Sequence, residues 1–486
     1  MQTTQFQNFI GGRWVSSESG HSYPVSNPAF KNVILGTAQK SNIGDAKRAI
    51  ESAHQALSRW AETPAPQRGT IIYRAFELLR ARKSEFAKTI TEEEGKSLSD
   101  ALGEVNRSMN ILEYAAGEGR RMFGQTTPSE LPNTLAYTPR RPLGVVSIIT
   151  PWNFPLAIPS WKIAPALICG NTVVFKPATS TPLSGINLVS LFEEAGLPPG
   201  VLNIITGPGS AIGDTLVTHP MVKGVSFTGS TDTGSRLYSM GARQLKKVQC
   251  EMGGKNAVIV LSDADIEKAL TAVVEGAFGS TGQRCTATSR LIIEDAIYDN
   301  FISALIDITK KLRIGYGLLP GIDIGPASSE EQLEQILRYI ELGKVEGATL
   351  AYGGNRITGA EFDQGFYVEP TIFTDVEANM SIAQEEIFGP VLTCFKVKDF
   401  AEAISICNNV QFGLSSSIYT RDLSKAFSYV NQVEAGMLHI NAPTLGGEVH
   451  LPFGGTKASG VGTREQGTEA INFFSEITTV YVDYAG

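Results

Sequence analysis

The stretch Leu143-Gly-Val-Val-Ser-Ile-Ile-Thr-Pro-Trp-Asn-Phe-Pro155 decides the fold. From Leu143 to Ile149 apolar residues run on with little alternation, which is how a strand buried on both faces reads. The run stops at Thr150, and Pro151 and Pro155 stiffen a turn that carries Trp152, Asn153 and Phe154. Ligands of parallel sheets gather beyond the carboxyl ends of the strands, so this turn lies where chemistry is expected. Working outward, similar runs recur at Thr172–Phe175, Val201–Ile205, Val222–Phe227 and Ala257–Leu261, separated by helical segments and Gly/Pro turns. Buried strands alternating with helices predict an α/β fold around a parallel sheet. After Glu251–Asn256 a second series begins. Its strands are Leu291–Glu294, Val391–Val397, Ser416–Thr420 and Met437–Ile440, and helices at Tyr298–Leu312, Glu331–Gly347, Phe400–Asn408 and Leu423–Val433 intervene. Ahead of both series, Asp45–Ala61 and Arg68–Arg121 have helical spacing. Gln125–Pro142 and Ile477–Tyr484 alternate like strands but fit neither sheet. Such strands complete a sheet at an edge or across a subunit interface.

The 486 residues hold 41 basic and 49 acidic side chains, a net charge of −8 that argues against nucleic acid or an anionic membrane as partner. Five cysteines without C-x-x-C spacing, and no cluster of His and Cys, point to free thiols, no metal and a reducing, cytoplasmic setting. Prolines at 151, 155, 159 and 165 interrupt the most apolar region, so it cannot supply the ~20 apolar residues of a membrane span. Met1–Val15 lacks the basic and apolar regions of a secretion signal.

Several segments carry chemistry. Gly279-Ser-Thr-Gly-Gln-Arg-Cys285 leads through small residues, which permit close backbone approach, to a single thiol. A cysteine in a turn is more often buried and inert, and its neighbours are what weaken that reading. Glu251-Met-Gly-Gly-Lys-Asn256 leaves room around a carboxylate for water or substrate, although a lone glutamate there would read as a capping residue. Asn153 offers an amide donor to a developing oxyanion. Phe227-Thr-Gly-Ser-Thr-Asp-Thr-Gly234 passes from strand through a glycine turn into a helix, which aims free N–H groups at a phosphate. Val173-Val-Phe-Lys-Pro-Ala-Thr179 ends a strand at Lys176, a donor for a cofactor ribose. A cysteine hydrolase would need a base for its thiol, yet none of the five histidines falls in these segments.

In this order the segments resemble the NAD(P)-dependent aldehyde dehydrogenases, essentially end to end. The resemblance rests on T-P-W-N-F-P, K-P-A with Thr179, F-T-G-S-x-x-x-G, E-M-G-G-K-N and G-Q-R-C. Glu385-Glu-Ile-Phe-Gly-Pro390 and Pro452-Phe-Gly-Gly455 followed by Lys457 complete it. It implies the aldehyde dehydrogenase fold, two parallel-sheet Rossmann-like domains with a small β oligomerisation arm. Residues 1–122 and 143–253 would bind the dinucleotide, 254–455 would carry catalysis, and 123–142 with 470–486 would form the arm of a homodimer or homotetramer. Cys285 would attack the aldehyde to give a thiohemiacetal and then a thioester, with the Asn153 amide and the Cys285 N–H on the oxyanion. Glu251 would activate water, which makes the enzyme hydrolytic rather than CoA-acylating. Lys176 and Glu386 would hold the two riboses, Phe388 and Trp152 would flank the nicotinamide cleft, and Gly229, Ser230 and Gly234 would form the pyrophosphate turn. Where a glutamate would favour NAD stands Thr179, so NADP is expected to be accepted beside NAD, with preference open.

Matched positions place Phe154, Ile158, Trp161, Arg284, Thr286 and Phe453 along the substrate tunnel. The motifs are most similar to the α-ketoglutaric semialdehyde (2,5-dioxovalerate) branch. Its substrate bears a carboxylate, for which Arg121, Arg120 and Arg284 are candidate partners. The alternatives are a broad-specificity enzyme for aliphatic, aromatic or long-chain aldehydes and, from another class, a non-catalytic protein on this fold. Cys285, Glu251 and Asn153 together oppose the second. Between Lys457 and Arg464 the chain is one residue longer than the family spacing. Glu465 therefore stands either as a second glutamate near the water path or as a surface ion pair. Cys169, Cys394 and Cys407 read as core residues, and Cys250 has no assigned role.

Overall fold

The computed structural model describes residues 4–485. The quoted strand, Val145–Ile149, lies in the middle of an eight-stranded sheet. Five strands run parallel in the order Leu202–Ile204, Thr172–Lys176, Val145–Ile149, Val222–Thr228, Lys247–Glu251. The chain builds two strands on one side of Val145–Ile149 and then two on the other, so strand order reverses there and a crevice opens at its carboxyl end. An antiparallel hairpin, Asn8–Ile10 with Arg13–Val15, closes one edge, and Gly460–Val461 closes the other. The strand Val145–Ile149 is buried throughout, as its unalternating sequence requires.

The second sheet has seven strands, in the order Thr349–Tyr352, Thr371–Thr374, Val391–Val397, Thr288–Glu294, Asn256–Val260, Ser415–Tyr419, Met437–Ile440. All neighbours are parallel except the edge strand Thr349–Tyr352. Residues 252–255 lead from the carboxyl end of the last parallel strand of the first sheet to the amino end of Asn256–Val260 in the second. The segments of Glu251, Cys285 and Glu386 meet at this junction.

Arg68–Arg121 is three helices, Ala65–Ala81, Lys83–Glu94 and Leu98–Glu118. Gly95, at φ 105°, ends the second in a left-handed conformation that a side chain would resist. The two alternating pieces find each other. Thr126–Pro128, Thr134–Tyr137 and Val480–Asp483 form a three-stranded sheet, and Arg140–Pro142 pairs with Ser475–Ile477. Residues 470–474, expected with the arm, finish helix Gly467–Phe474 instead, and its Ile471, Phe473 and Phe474 are buried in the core of the first sheet. Among the described residues no helix is long and apolar enough to cross a membrane, and no group of three or more His, Cys, Asp or Glu could hold a metal ion.

Candidate active site

Cys285 lies in the turn between helix Ile266–Phe278 and strand Thr288–Glu294. Ser280, Thr281 and Gly282 precede it at φ 49°, 59° and 65°, three consecutive left-handed residues. For Ser280 and Thr281 that conformation costs roughly 1–2 kcal/mol each. Gly282 admits no substitute, because a Cβ there would sit 2.2 Å from the Gly389 carbonyl oxygen. The surroundings hold the strain in place. Thr281 Oγ1 donates to the Gly325 carbonyl at 3.1 Å. The Asp100 carboxylate accepts from the Ser280 N–H at 3.0 Å and from Arg284 at 2.6 Å. Asn256 Nδ2 donates to the carbonyl of Cys285 itself at 2.8 Å. Burial, and then the charges of Glu386 and Glu251, push the Cys285 thiol up to about 12.

Asn153 is buried, and its Nδ2 donates to the Gln283 carbonyl at 3.0 Å, which aims the amide into the cysteine turn. Lys96 Nζ holds the turn from behind, donating to the Asn153 carbonyl at 2.6 Å and to Glu104 Oε2 at 2.7 Å. Glu104 Oε1 accepts from the N–H groups of Leu156 and Ala157, where helix Ala157–Ile168 starts. Both charged side chains are fully buried, so removing either would strand its partner at a cost of about 3–5 kcal/mol.

Glu251 ends its strand in a cradle of glycines. A Cβ on Gly454, at φ 148°, would lie 2.2 Å from Glu251 Oε1, one on Gly460 would lie 3.2 Å away, and the Gly455 N–H donates to Oε2 at 3.3 Å. Burial, and then the charge of Glu465, hold the Glu251 carboxyl well above the usual carboxylate range. Glu465 is only 2% exposed, accepts from Trp161 Nε1 at 2.7 Å and forms an ion pair with Lys162. The extra residue before Arg464 has not displaced it, because Phe453 and Glu465 exchange backbone hydrogen bonds at 2.7 and 2.8 Å. The surface ion-pair alternative is excluded.

Of the expected cofactor residues, Glu386, Gly229 and Gly234 adjoin the junction, whereas Lys176 and Thr179 lie at the carboxyl end of strand Thr172–Lys176. Lys176 is buried, finds one acceptor in the Pro177 carbonyl at 3.0 Å, and is brought down to about 8 by burial. Glu386 Oε1 accepts from the Gly254 N–H at 2.9 Å, and burial raises this carboxyl to about 7. Gly253 leaves open the space beside Glu386 Oε2, since a Cβ there would lie 2.2 Å from it. Phe388, at φ 61°, meets the Trp152 ring edge-on at 5.3 Å. Gly229 and Gly234 stand where a Cβ would come within 2.5 Å of Phe227 and of Met252 respectively. Ser230 precedes helix Thr231–Ala242 and is exposed, as is Thr179, whose hydroxyl donates to the Gly207 carbonyl at 3.2 Å. Two hydroxyl-binding groups, an aromatic pair and an open helix start fit a dinucleotide.

Beside Cys285 opens a cavity of about 390 Å³ whose lining includes Phe154, Ile158, Trp161, Arg284, Thr286 and Phe453. Trp161 and Phe453 pack as a tilted pair, 5.5 Å between ring centroids. Arg121 does not line it. Its guanidinium is bound to Glu118 Oε1 at 2.6 and 2.9 Å on the surface, and Arg120 is exposed. Arg284 does line it but is committed to Asp100 and to Ser280 Oγ. The cation that sequence reasoning missed is Arg107, on the cavity wall with Asp100, Gly103 and Glu104. The overlooked signal was charge recurring every three or four residues on the inward stripe of helix Leu98–Glu118, where apolar residues are the rule. Cys250 is a core residue, its thiol 3.7 Å from the Gly234 carbonyl and pushed up to about 12 by burial. Cys169, Cys394 and Cys407 are buried as expected.

Residues 14–480 match the model of the aldehyde dehydrogenase family. An α-ketoglutaric semialdehyde dehydrogenase of Bacillus subtilis is 47% identical over 98% of both chains. An α-ketoglutarate semialdehyde dehydrogenase of Haloferax volcanii is 44% identical over 99% of this chain and 100% of its own. Among solved structures, betaine aldehyde dehydrogenase of Staphylococcus aureus in complex with NAD+ superposes with a TM-score of 0.96 at 34% identity, covering 99% of this chain and 95% of that one.

Proposed function

The chain belongs to the aldehyde dehydrogenase family, and from that premise we propose that it oxidises a carboxylate-bearing semialdehyde, α-ketoglutaric semialdehyde first, to the acid with NAD or NADP. The observation that carries the chemistry is the convergence of Cys285, the Asn153 amide and the buried Glu251 at one junction beside one cavity. The substrate class rests on relatives of that name and on an unneutralised cation in the cavity.

The neutral thiol of Cys285 must lose its proton before attack, and Glu251 and Glu386 are the carboxylates whose charge reaches it. The thiolate adds to the aldehyde carbon, and the new oxyanion accepts hydrogen bonds from Asn153 Nδ2 and the Cys285 N–H. Lys176, Glu386, Phe388, Trp152 and the turn Gly229–Gly234 would hold NAD or NADP, which would accept the hydride that leaves this carbon. A thioester on Cys285 remains. Glu251, made basic by burial and by Glu465, takes a proton from the water that hydrolyses it. This base makes the enzyme hydrolytic rather than CoA-acylating.

The first sheet carries Lys176, Thr179 and the turn Gly229–Gly234, while the second carries the thiol and, ahead of strand Val391–Val397, Glu386 and Phe388, so the cofactor would lie between the proposed dinucleotide-binding and catalytic domains. Thr179 brings no charge to repel a 2′-phosphate, so NADP is accepted. The exposed Leu131, Tyr481 and Tyr484 on the arm and its neighbouring turn support a homodimer or homotetramer, and the sparse free thiols support a cytoplasmic setting. The test is reduced-cofactor absorbance on an aldehyde panel with both cofactors. Catalytic efficiency at least about tenfold higher for α-ketoglutaric semialdehyde than for pentanal is expected. Equal efficiencies would favour the broad-specificity alternative, to which the aromatic wall of Trp161 and Phe453 is suited.

A further inference from the structure

We propose that Arg107 selects the substrate by binding the carboxylate at the far end of the aldehyde. The inference rests on the semialdehyde reading above and names the residue responsible for it.

Four charged side chains besides the exposed Glu275 line the cavity: Asp100, Glu104, Arg107 and Arg284. Three of them are already neutralised. Arg284 meets Asp100 at 2.6 Å, and Glu104 meets Lys96 at 2.7 Å. Arg107 donates only to neutral acceptors, the Gly447 carbonyl and Gln466 Oε1, the second at 2.8 Å. Among the described residues, Arg107 and the exposed Glu275 are therefore the lining charges without an ion-pair partner, and Arg107 is the positive one.

The placement suits an anion. Two bonds leave most of the five guanidinium N–H groups free, enough for a two-pronged grip on a carboxylate. The guanidinium also lies over the Trp161 ring, 5.6 Å from its centroid, which holds it against the cavity wall. Arg107 and Cys285 share the cavity, so one short chain can offer an aldehyde to the thiol and a carboxylate to the cation. Burial lowers the proton affinity of Arg107, the mark of a partly desolvated cation without a fixed counter-charge. An anionic substrate supplies that counter-charge. A quaternary-ammonium aldehyde would be repelled.

The experiment compares Arg107→Gln, Arg107→Lys and Arg121→Ala with wild type under saturating cofactor. The substrates are α-ketoglutaric semialdehyde and pentanal, with glutarate as competitor against pentanal. In Arg107→Gln, kcat/KM for the semialdehyde should fall about 30- to 100-fold, mostly through KM. Pentanal should change by less than about threefold, and inhibition by glutarate should disappear. Arg107→Lys should retain part of both effects, and Arg121→Ala should match wild type. Equal losses on both aldehydes would overturn the proposal and reduce Arg107 to a strap on the Gly447 loop. Unchanged kinetics on both would overturn it too. If the Gln variant does not fold, the Lys variant decides: a KM raised for the semialdehyde alone supports the proposal, and equal losses overturn it. A wild type with no preference for the semialdehyde and no inhibition by glutarate overturns the substrate reading instead. A preference that survives in Arg107→Gln overturns only the role of Arg107.

Discussion

Cys285, Asn153 and Glu251 each sit on or against a turn that demands glycine, proline or a left-handed residue, whereas Asp100, Glu104 and Arg107 occupy ordinary positions on helix Leu98–Glu118. Both groups border one cavity or the junction beside it. The first must hold reacting atoms in place, so the backbone itself is shaped and strained around them. The second needs only side chains of the right charge on a rigid helical face. In the proposed active site, chemistry is built into turns and selectivity is hung on a regular element.

That contrast can be broken most sharply at the thiol. Cys285→Ala should remove at least about 10⁴-fold of the activity on every aldehyde, charged or neutral, read as reduced-cofactor absorbance. Activity surviving that change would remove the basis for the comparison. Gly454→Ala comes next. Its methyl would lie 2.2 Å from Glu251 Oε1 at a backbone φ of 148°, so kcat should fall roughly 100-fold on both aldehyde classes. Arg107→Gln, by contrast, affects one class only.

A smaller effect concerns pH. Glu251 acts as a base only when deprotonated, and its raised proton affinity places the acid limb of kcat above the ordinary carboxylate range. Glu465→Gln removes a neighbouring negative charge and frees the positive charge of Lys162. Both changes lower the proton affinity of Glu251, so the acid limb should move about one pH unit downward. A limb that stays in place would mean that Glu251 does not govern it. Smallest is the cofactor choice: Thr179→Glu should shift the NADP-to-NAD ratio of kcat/KM about tenfold toward NAD. An unchanged ratio would place the 2′ position elsewhere.

The same contrast explains what could be read from the sequence. The strands flanking the site were legible because burial on both faces suppresses alternation, and Val145–Ile149 and Val391–Val397 show it clearly. The cysteine turn and the glycine cradle were legible because steric demands write themselves into consecutive residues. Arg107 was missed although Asp100, Glu104 and Arg107 recur at helical spacing, because that spacing does not say which charge stays unneutralised until Asp100 and Lys96 are seen to neutralise the others. Glu465 was hidden for a related reason. The chain spacing was ambiguous, and only its pairing with Phe453 and Lys162 locates it. Residues 470–474 were misplaced because a short helix beside a β arm has no boundary signal of its own.

The central claim is that hydride leaves from a Cys285 adduct before water enters, and that Glu251 serves the second step. Glu251→Gln, mixed rapidly with saturating aldehyde and cofactor, tests it most directly. The account predicts a burst of one equivalent of reduced cofactor per site, a near stop afterwards, and an acyl mass on the peptide that contains Cys285. A slow linear time course with no burst and no adduct would contradict it.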